Sequence, residues 1–186
     1  MMDDEKIIAC FFARSEEAIH ELDAKYGAYC RRIAQNIVNS PEDAEECVND
    51  AYFGVWNAIP PAHPKPLLTF VCKIVRNQAL MRYHANTAAK RSSMYAVALE
   101  ELSESLPSAS NVEAELEVKE TVQMIEGFLD RLPLRNRVIF LRRYWYFDSY
   151  AQIAQQVGIS AKNVSVSLAS MRKQLRSYLL EMGAIE

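Results

Sequence analysis

The sequence carries basic, amide and small polar side chains whose types and spacing suit non-covalent contacts with nucleic acid. Between residues 160 and 176, apolar residues recur at helical spacing, which predicts a helix with one buried stripe. The opposite face of that helix is small, polar and basic, and has no acid. Lysine and asparagine pair with base edges in the major groove, and cations further along suit phosphates. We therefore expect a duplex to be contacted by Lys162, Asn163, Ser165, Val166, Ser167, Ser170, Arg172 and Lys173.

The residues before this helix complete a helix-turn-helix pattern. Ser149, with Gln152 three residues on, predicts the start of a short helix, and Gly158 predicts its end. Ser160 is then the expected N-cap of the longer second helix. A further helix before them is predicted by an apolar stripe at Leu134, Val138, Leu141 and Trp145.

The charge of this C-terminal stretch supports a duplex-binding role. Nine bases stand against one acid between Arg131 and Tyr178, although the net charge of the whole chain is −3. Local positive charge is what contact with the phosphate backbone requires. The alternative is an ordinary helical hairpin with a basic surface.

A second group of candidate residues lies on an acidic helix that begins at Ser40-Pro41, a cap followed by a proline at the first position. One face is an unbroken apolar stripe, and the other mixes acids with an aromatic ring. Two interpretations of that outer face stay open: a solvated surface, or a docking surface for a basic partner helix. The residues concerned are Glu46, Asn49, Asp50 and Phe53.

A third group follows the four prolines between residues 60 and 66, which force a break before a helix near Leu67. Cations for phosphates, interleaved with amides and aromatic rings for bases, are what single-strand binders use. The alternative is a basic helix end that its own dipole favours. The residues concerned are Lys73, Arg76, Asn77, Arg82, Tyr83, His84, Asn86 and Lys90.

Composition and periodicity predict an all-α protein of two small helical domains joined by an acidic flexible linker. The expected boundaries are 1–95 for the first domain, 96–111 for the linker and 112–186 for the second, which holds the helix-turn-helix. No signal peptide or bilayer-spanning run is visible, so we expect a cytoplasmic protein without membrane insertion. The four cysteines are isolated and predict small core residues in a reducing compartment. We expect no metal and no cofactor.

Three segments, in this order, resemble the bacterial sigma factors of the extracytoplasmic-function (ECF) group of the sigma-70 family. The polymerase-docking helix of that group resembles DAEECVNDAYFGVW here. Its promoter-melting helix resembles FVCKIVRNQALMRY, with Phe70 where the group usually has Trp. Its fourth domain resembles LPLRNRVIFLRRY, SYAQIAQQVGIS and MRKQL. The resemblance covers nearly the whole chain.

The resemblance implies an alternative sigma factor, and no enzyme, that binds core RNA polymerase and directs promoter-specific initiation. Domain two would bind the β′ coiled coil through the acidic face at Glu46, Asn49 and Asp50. It would also hold melted non-template strand of the minus-ten element near Asn77 and in the loop from His84 to Lys90. Domain four would sit on the β flap and read the duplex minus-thirty-five element. An anti-sigma partner is a further expectation.

This sequence departs from the group on the recognition helix. Ser165, Ser167 and Ser170 stand where the group usually carries further Lys and Arg, which shifts the expected phosphate contacts onto Lys162, Arg172 and Lys173. One alternative function is a helix-turn-helix regulator that is not a polymerase subunit. Another is an enzyme or a scaffold of helical hairpins, although no catalytic triad, paired-carboxylate motif or phosphate loop is visible.

Overall fold

The computed structural model describes residues 2–86, 93–103, 105–106 and 114–185, and the chain in those ranges folds into helices with no strand. It divides into two compact units, Met1–Ala96 and Val97–Glu186. The all-α prediction is therefore confirmed. No helix in the described ranges is long and apolar enough to cross a membrane.

The first unit contains α1 (Asp4–Phe12), α2 (Glu17–Val38), α3 (Pro41–Ala58) and α4 (Leu67–Ala85). Helices α2, α3 and α4 pack against one another, and α1 packs on α2. Their facing stripes are closed to solvent, as Leu22, Val48 and Val71 show at 0% exposure. Cys30, Cys47 and Cys72 are buried free thiols and Cys10 is half-buried, so the cysteines fill the core much as predicted.

Local sequence fixes the start of α3, the helix that presents the acidic face. The Ser40 hydroxyl accepts a hydrogen bond from the Asp43 amide at 3.2 Å. Pro41 occupies the first turn, where its missing N–H costs nothing, and Glu42 and Asp43 lie at the positive end of the helix dipole. The cap and the proline therefore fix where the helix begins, and its apolar stripe decides which residues face outward.

Helix α5 (Met94–Ser103) covers the first part of the segment predicted as linker, and residues 104 and 107–111 lie outside the described ranges. In the second unit, Ala98 is buried, and Leu102 and Leu106 pack against the core. The described part of the segment therefore contributes to the second unit.

The rest of the second unit is α6 (Ala114–Arg131), α7 (Leu134–Tyr144), α8 (Tyr150–Val157) and α9 (Ala161–Glu181). Ser149 and Gln152 form the predicted capping box, with bonds of 3.3 Å and 2.7 Å. Gly158 ends α8 at φ 71°, a left-handed conformation that costs glycine little. The predicted helix-turn-helix is thus present, with α9 as its second helix.

Helix α7 does not bury the apolar stripe that the sequence suggests. Leu134 is 75% exposed and Val138 is 38% exposed. The buried side chains are Ile139, Phe140 and Arg143, on the opposite face of the helix. Phe140 packs edge-on against Phe128 of α6 at 6.3 Å between ring centroids. The first two residues of the stripe therefore face solvent, and the other two, Leu141 and Trp145, are half-buried.

Candidate functional site

The first turns of α9 leave the expected base-reading side chains exposed. The Ser160 hydroxyl accepts a hydrogen bond from the Asn163 amide at 3.1 Å, which fixes the start of the helix. Lys162 and Asn163 are exposed, and Val166 is 62% exposed. Val164, in the stripe between them, is fully buried. A helix that is packed on one face and exposed on the other can enter a DNA groove. Lys162, Asn163 and Val166 would then face the bases.

The second half of α9 is less uniform than the sequence suggests. Ser170 and Lys173 are exposed, whereas Ser165 and Ser167 are half-buried. The Ser170 hydroxyl accepts a hydrogen bond from Gln174 Nε2 at 3.1 Å. Arg172 is only 22% exposed, and its guanidinium is held by other side chains of the same unit.

Arg172 belongs to a polar cluster around Glu101, which sequence analysis did not foresee. Arg143 donates to both Glu101 carboxylate oxygens, at 2.6 Å from Nη2 and 3.0 Å from Nε. The Tyr150 hydroxyl donates to the same carboxylate at 3.0 Å. Arg172 Nη1 donates to the Tyr144 hydroxyl at 2.9 Å and lies 3.6 Å from Glu101 Oε2.

This Glu101 cluster (Glu101, Arg143, Tyr144, Tyr150 and Arg172) is enclosed. The Arg143 side chain is 3% exposed and that of Glu101 is 19% exposed. Burial raises the pKa of Tyr144 to about 12, although the hydrogen bond with Arg172 and its charge lower it. The hydroxyl therefore stays protonated and can accept from Arg172 while it donates to Glu101, 3.4 Å away.

The acidic face of α3 is as exposed as predicted. Glu46, Asn49, Asp50 and Phe53 share one side of the helix, and Phe53 is 67% exposed. Beside them, a cleft of about 370 Å³ opens between α2 and α3. Its lining is Glu16, Ile19, Asn49, Tyr52, Phe53 and Trp56. An apolar centre with an acidic and amide rim is the composition of a protein-docking surface.

The outward face of α4 presents only part of the expected nucleic-acid set. Lys73, Asn77 and His84 are exposed, and Arg76 is half-buried. Burial lowers the pKa of Arg76, and the nearby Tyr95 partly offsets that shift. Lys90 lies outside the described residues.

Two members of this set contact the acidic helix instead of facing freely outward. Arg82 Nη2 lies 2.5 Å from Glu46 Oε1, and Arg82 Nη1 lies 3.6 Å from Asp43 Oδ1. Asn86 Nδ2 donates to Asp43 Oδ2 at 3.4 Å. The structure therefore joins the α3 and α4 sites, which the sequence presented as separate surfaces.

Tyr83 does not fit the prediction that it contacts nucleic acid. It is 6% exposed, and its ring packs edge-on against Tyr95 at 4.8 Å between centroids. A ring enclosed in this way has no free face on which an unpaired base could stack. Helical spacing places Tyr83 on the buried stripe with Val75 and Ala79, and that signal was already present in the sequence.

Comparison with protein families decides the identity. A sequence model of sigma-70 region 2 matches residues 22–88, and one of sigma-70 region 4 matches residues 123–175. Together they match more than half of the chain. The chain belongs to the sigma-70 family. The pairing of these two regions is typical of ECF sigma factors, which direct transcription initiation without catalysing a covalent reaction.

No curated protein matches the sequence significantly. A solved structure of CnrH in complex with the cytosolic domain of CnrY is 19% identical and has a TM-score of 0.45. The match covers 96% of this chain and 97% of that one. The two matched sigma-70 regions alone show the family of this chain.

Proposed function

We propose that this alternative sigma factor binds core RNA polymerase through α3, holds melted promoter strand on α4 and reads duplex upstream with α9. One observation carries the proposal: the exposed acidic row on α3 lies beside the basic, amide-bearing face of α4 within one compact unit. A regulator that binds only duplex needs neither surface. An initiation factor needs both, since strand opening happens on the polymerase.

The proposed polymerase contact is made by Glu46, Asn49, Asp50 and Phe53. Phe53 supplies an exposed apolar anchor beside the cleft, and the acids supply charge complementary to a basic helix. Aromatic anchors near the centre of an interface carry much of its binding energy, while charged rims set orientation and association rate. The β′ coiled coil is the partner we assign to this face.

For the minus-ten element, we assign Lys73, Arg76 and Asn77 on α4, with His84, Asn86 and Arg82 towards its end. No covalent chemistry is needed here. A protein that binds unpaired bases better than duplex shifts the opening equilibrium, and unstacking costs a few kcal/mol per base. Cations on α4 offset that cost by holding phosphates, and the exposed Asn77 amide can read the edge of an extruded base.

For the minus-thirty-five element, the side chains that read bases are Lys162, Asn163 and Val166. We assign Ser165, Ser167 and Ser170 to positions close to the DNA backbone. Lysine suits guanine O6 and N7, asparagine suits adenine N6 and N7, and valine packs on a thymine methyl. Lys173 and Arg172, further along α9, are the proposed phosphate contacts.

The exposed stripe of α7 gives the second unit its proposed polymerase contact. Leu134 and Val138 are exposed, and Leu141 and Trp145, which are half-buried, lie on the same side of the helix. A row of apolar side chains turned away from its own core fits an apolar partner surface. We assign the β flap to it. A protein that acts on RNA polymerase is located in the cytoplasm, which is the location we propose. An anti-sigma partner stays a prediction.

The polymerase contact is tested by Asp50→Lys, because Asp50 lies in the exposed row and not in the pair with Arg82. Glu5→Lys is the control, since Glu5 is also an exposed acid, on α1, where its charge pairs with Lys65 at the surface. We expect affinity for core polymerase to fall about tenfold or more for Asp50→Lys and to change little for Glu5→Lys. Binding of the full chain to promoter duplex alone should be unchanged in both. Equal polymerase affinity in the two variants would contradict the assignment.

A further inference from the structure

The Glu101 cluster ties the segment before the helix-turn-helix to one flank of α9. Arg172 reaches that cluster from α9, through the Tyr144 hydroxyl and the Glu101 carboxylate. Arg172 lies nine residues after Asn163 and ten after Lys162 in α9, which is roughly two and a half turns of helix or more. The contact with the Glu101 cluster therefore involves the phosphate-contacting half of α9, at Arg172. It leaves the base-reading half, at Lys162 and Asn163, exposed.

A second observation places the same segment beside that half of α9. Ser105 is 5% exposed and lines an open cleft of about 730 Å³. The other described residues that line it lie on α9: Ala169, Ser170, Arg172, Lys173 and Arg176. Leu102 and Leu106 hold the segment by packing into the core on either side of Ser105. Acidic α5 and a basic helix flank are thus held together by charge as well as by apolar contact.

We propose that residues 97–103 with 105–106 form a built-in competitor of the DNA backbone, in which Glu101, 3.6 Å from Arg172 Nη1, pairs with Arg172 in place of a phosphate. Two carboxylate oxygens amid guanidinium and hydroxyl donors reproduce the contacts a phosphate would make. Duplex binding by the free chain therefore uses one cation fewer than α9 carries. Release of Arg172 from Glu101 adds that cation without changing which bases are read. This inference rests on the proposed role of α9 in duplex binding.

The proposal is tested in the full chain with Glu101→Gln, and Glu100→Gln is the control because Glu100 is the exposed neighbouring acid. Two probes are used: a duplex selected from a random library by the wild-type chain, and a duplex of random sequence. We expect Glu101→Gln to tighten both by about three- to tenfold and to steepen the salt dependence by about one unit. Glu100→Gln should do neither.

Glu101→Gln in an Arg172→Gln background separates release of Arg172 from the general effect of removing one negative charge. There Glu101→Gln should give no gain, because the cation that it releases is absent. A gain that persists in this background overturns the proposal, and so does a single variant that binds like wild type. A gain on the selected duplex alone also overturns it, since a phosphate contact acts on every sequence.

A second pair of variants covers the case in which Glu101→Gln fails to fold, which circular dichroism would show. Ser105→Glu adds an acid inside the α9 cleft, and Ser103→Glu adds the same charge at an exposed position. We expect Ser105→Glu to weaken binding of both duplexes about threefold or more, and Ser103→Glu to weaken it much less. Equal weakening overturns the proposal. Wild-type chain that selects no duplex at all would instead count against the proposed role of α9.

Discussion

The two units pair acids with arginines in different surroundings. In the first unit, Arg82 meets Glu46 at the surface, where their side chains are 33% and 57% exposed. In the second unit, Arg143 meets Glu101 with 3% and 19% exposure, and two tyrosines close over the pair. Water screens the first contact and hardly reaches the second. The first can be exchanged for a partner at little cost, whereas the second is part of the fold.

The largest expected effect tests this difference directly. Glu101→Ala leaves the Arg143 charge buried without its carboxylate, which should lower the free energy of unfolding of the second unit by about 3–5 kcal/mol. Glu46→Ala should lower that of the first unit by less than about 1 kcal/mol. Each unit has one tryptophan, Trp56 or Trp145. Denaturant titrations in Trp56→Phe and Trp145→Phe backgrounds therefore follow the units separately.

A second variant of the same site separates loss of charge from loss of packing as the cause of a lower free energy of unfolding. Glu101→Gln keeps the size of the side chain and one acceptor oxygen, so it should cost less than Glu101→Ala. If both Glu101→Ala and Glu46→Ala cost less than about 1 kcal/mol, the contrast between an enclosed and a screened pair is wrong.

Short-range patterns predicted much of the fold. The Ser40 and Ser160 caps, the capping box at Ser149 and the left-handed Gly158 all follow from residues within four positions of one another. Apolar periodicity likewise placed the outward faces of α3 and α9, so Phe53 and Val166 were expected outside and are. In such cases the local sequence and the tertiary packing favour the same arrangement.

Two features that the sequence did not predict, the burial of Arg143 in α7 and the contact between α3 and α4, depend on residues far apart in sequence. Arg143 is buried because Glu101, 42 residues away, neutralises it. No helical pattern indicates an arginine inside, so the sequence did not show that Leu134 and Val138 would be exposed while Arg143 is buried. The pairing of Arg82 with Glu46 was missed for the same reason. Periodicity shows which residues share a face, but not which partner lies opposite.

The next largest expected effect contrasts the two halves of the recognition helix α9, the base-reading half with Lys162 and the phosphate-contacting half with Lys173. Lys162→Ala should change the base preferred at one upstream position, at a cost of about 1–3 kcal/mol for the best site. Lys173→Ala should weaken binding to all sequences alike and reduce the salt slope by about one unit. Selection from a promoter library and titration over a range of salt concentrations measure the two effects. An unchanged preferred sequence in Lys162→Ala would move the readout to Asn163 and the serines.

The smallest expected effect concerns acid stability, and it again depends on a screened pair in the first unit. Asp23 accepts hydrogen bonds from Arg31 at 2.9 Å and from the Tyr52 hydroxyl at 2.8 Å. Burial tends to raise the pKa of Asp23, but these bonds and the Arg31 charge outweigh it, so the pKa lies below its ordinary value of 3.8. A carboxylate with a depressed pKa stabilises the fold above its ordinary pKa. That stability is lost as the pH falls through the folded-state value.

Asp23→Asn should therefore cost less than about 1 kcal/mol at neutral pH, because both Asp23 and Arg31 are about 40% exposed. In the Trp145→Phe background, stability of the first unit should also fall less steeply on acidification below about pH 4 than it does with Asp23 present. Asp4→Asn is the matched comparison, since the bonds from Lys25 and Tyr26 depress the pKa of Asp4 against a similar opposing effect of burial. A variant that loses stability on acidification as steeply as its parent would show that folding does not lower the pKa of Asp23. The screened pair would then contribute nothing that protonation can remove.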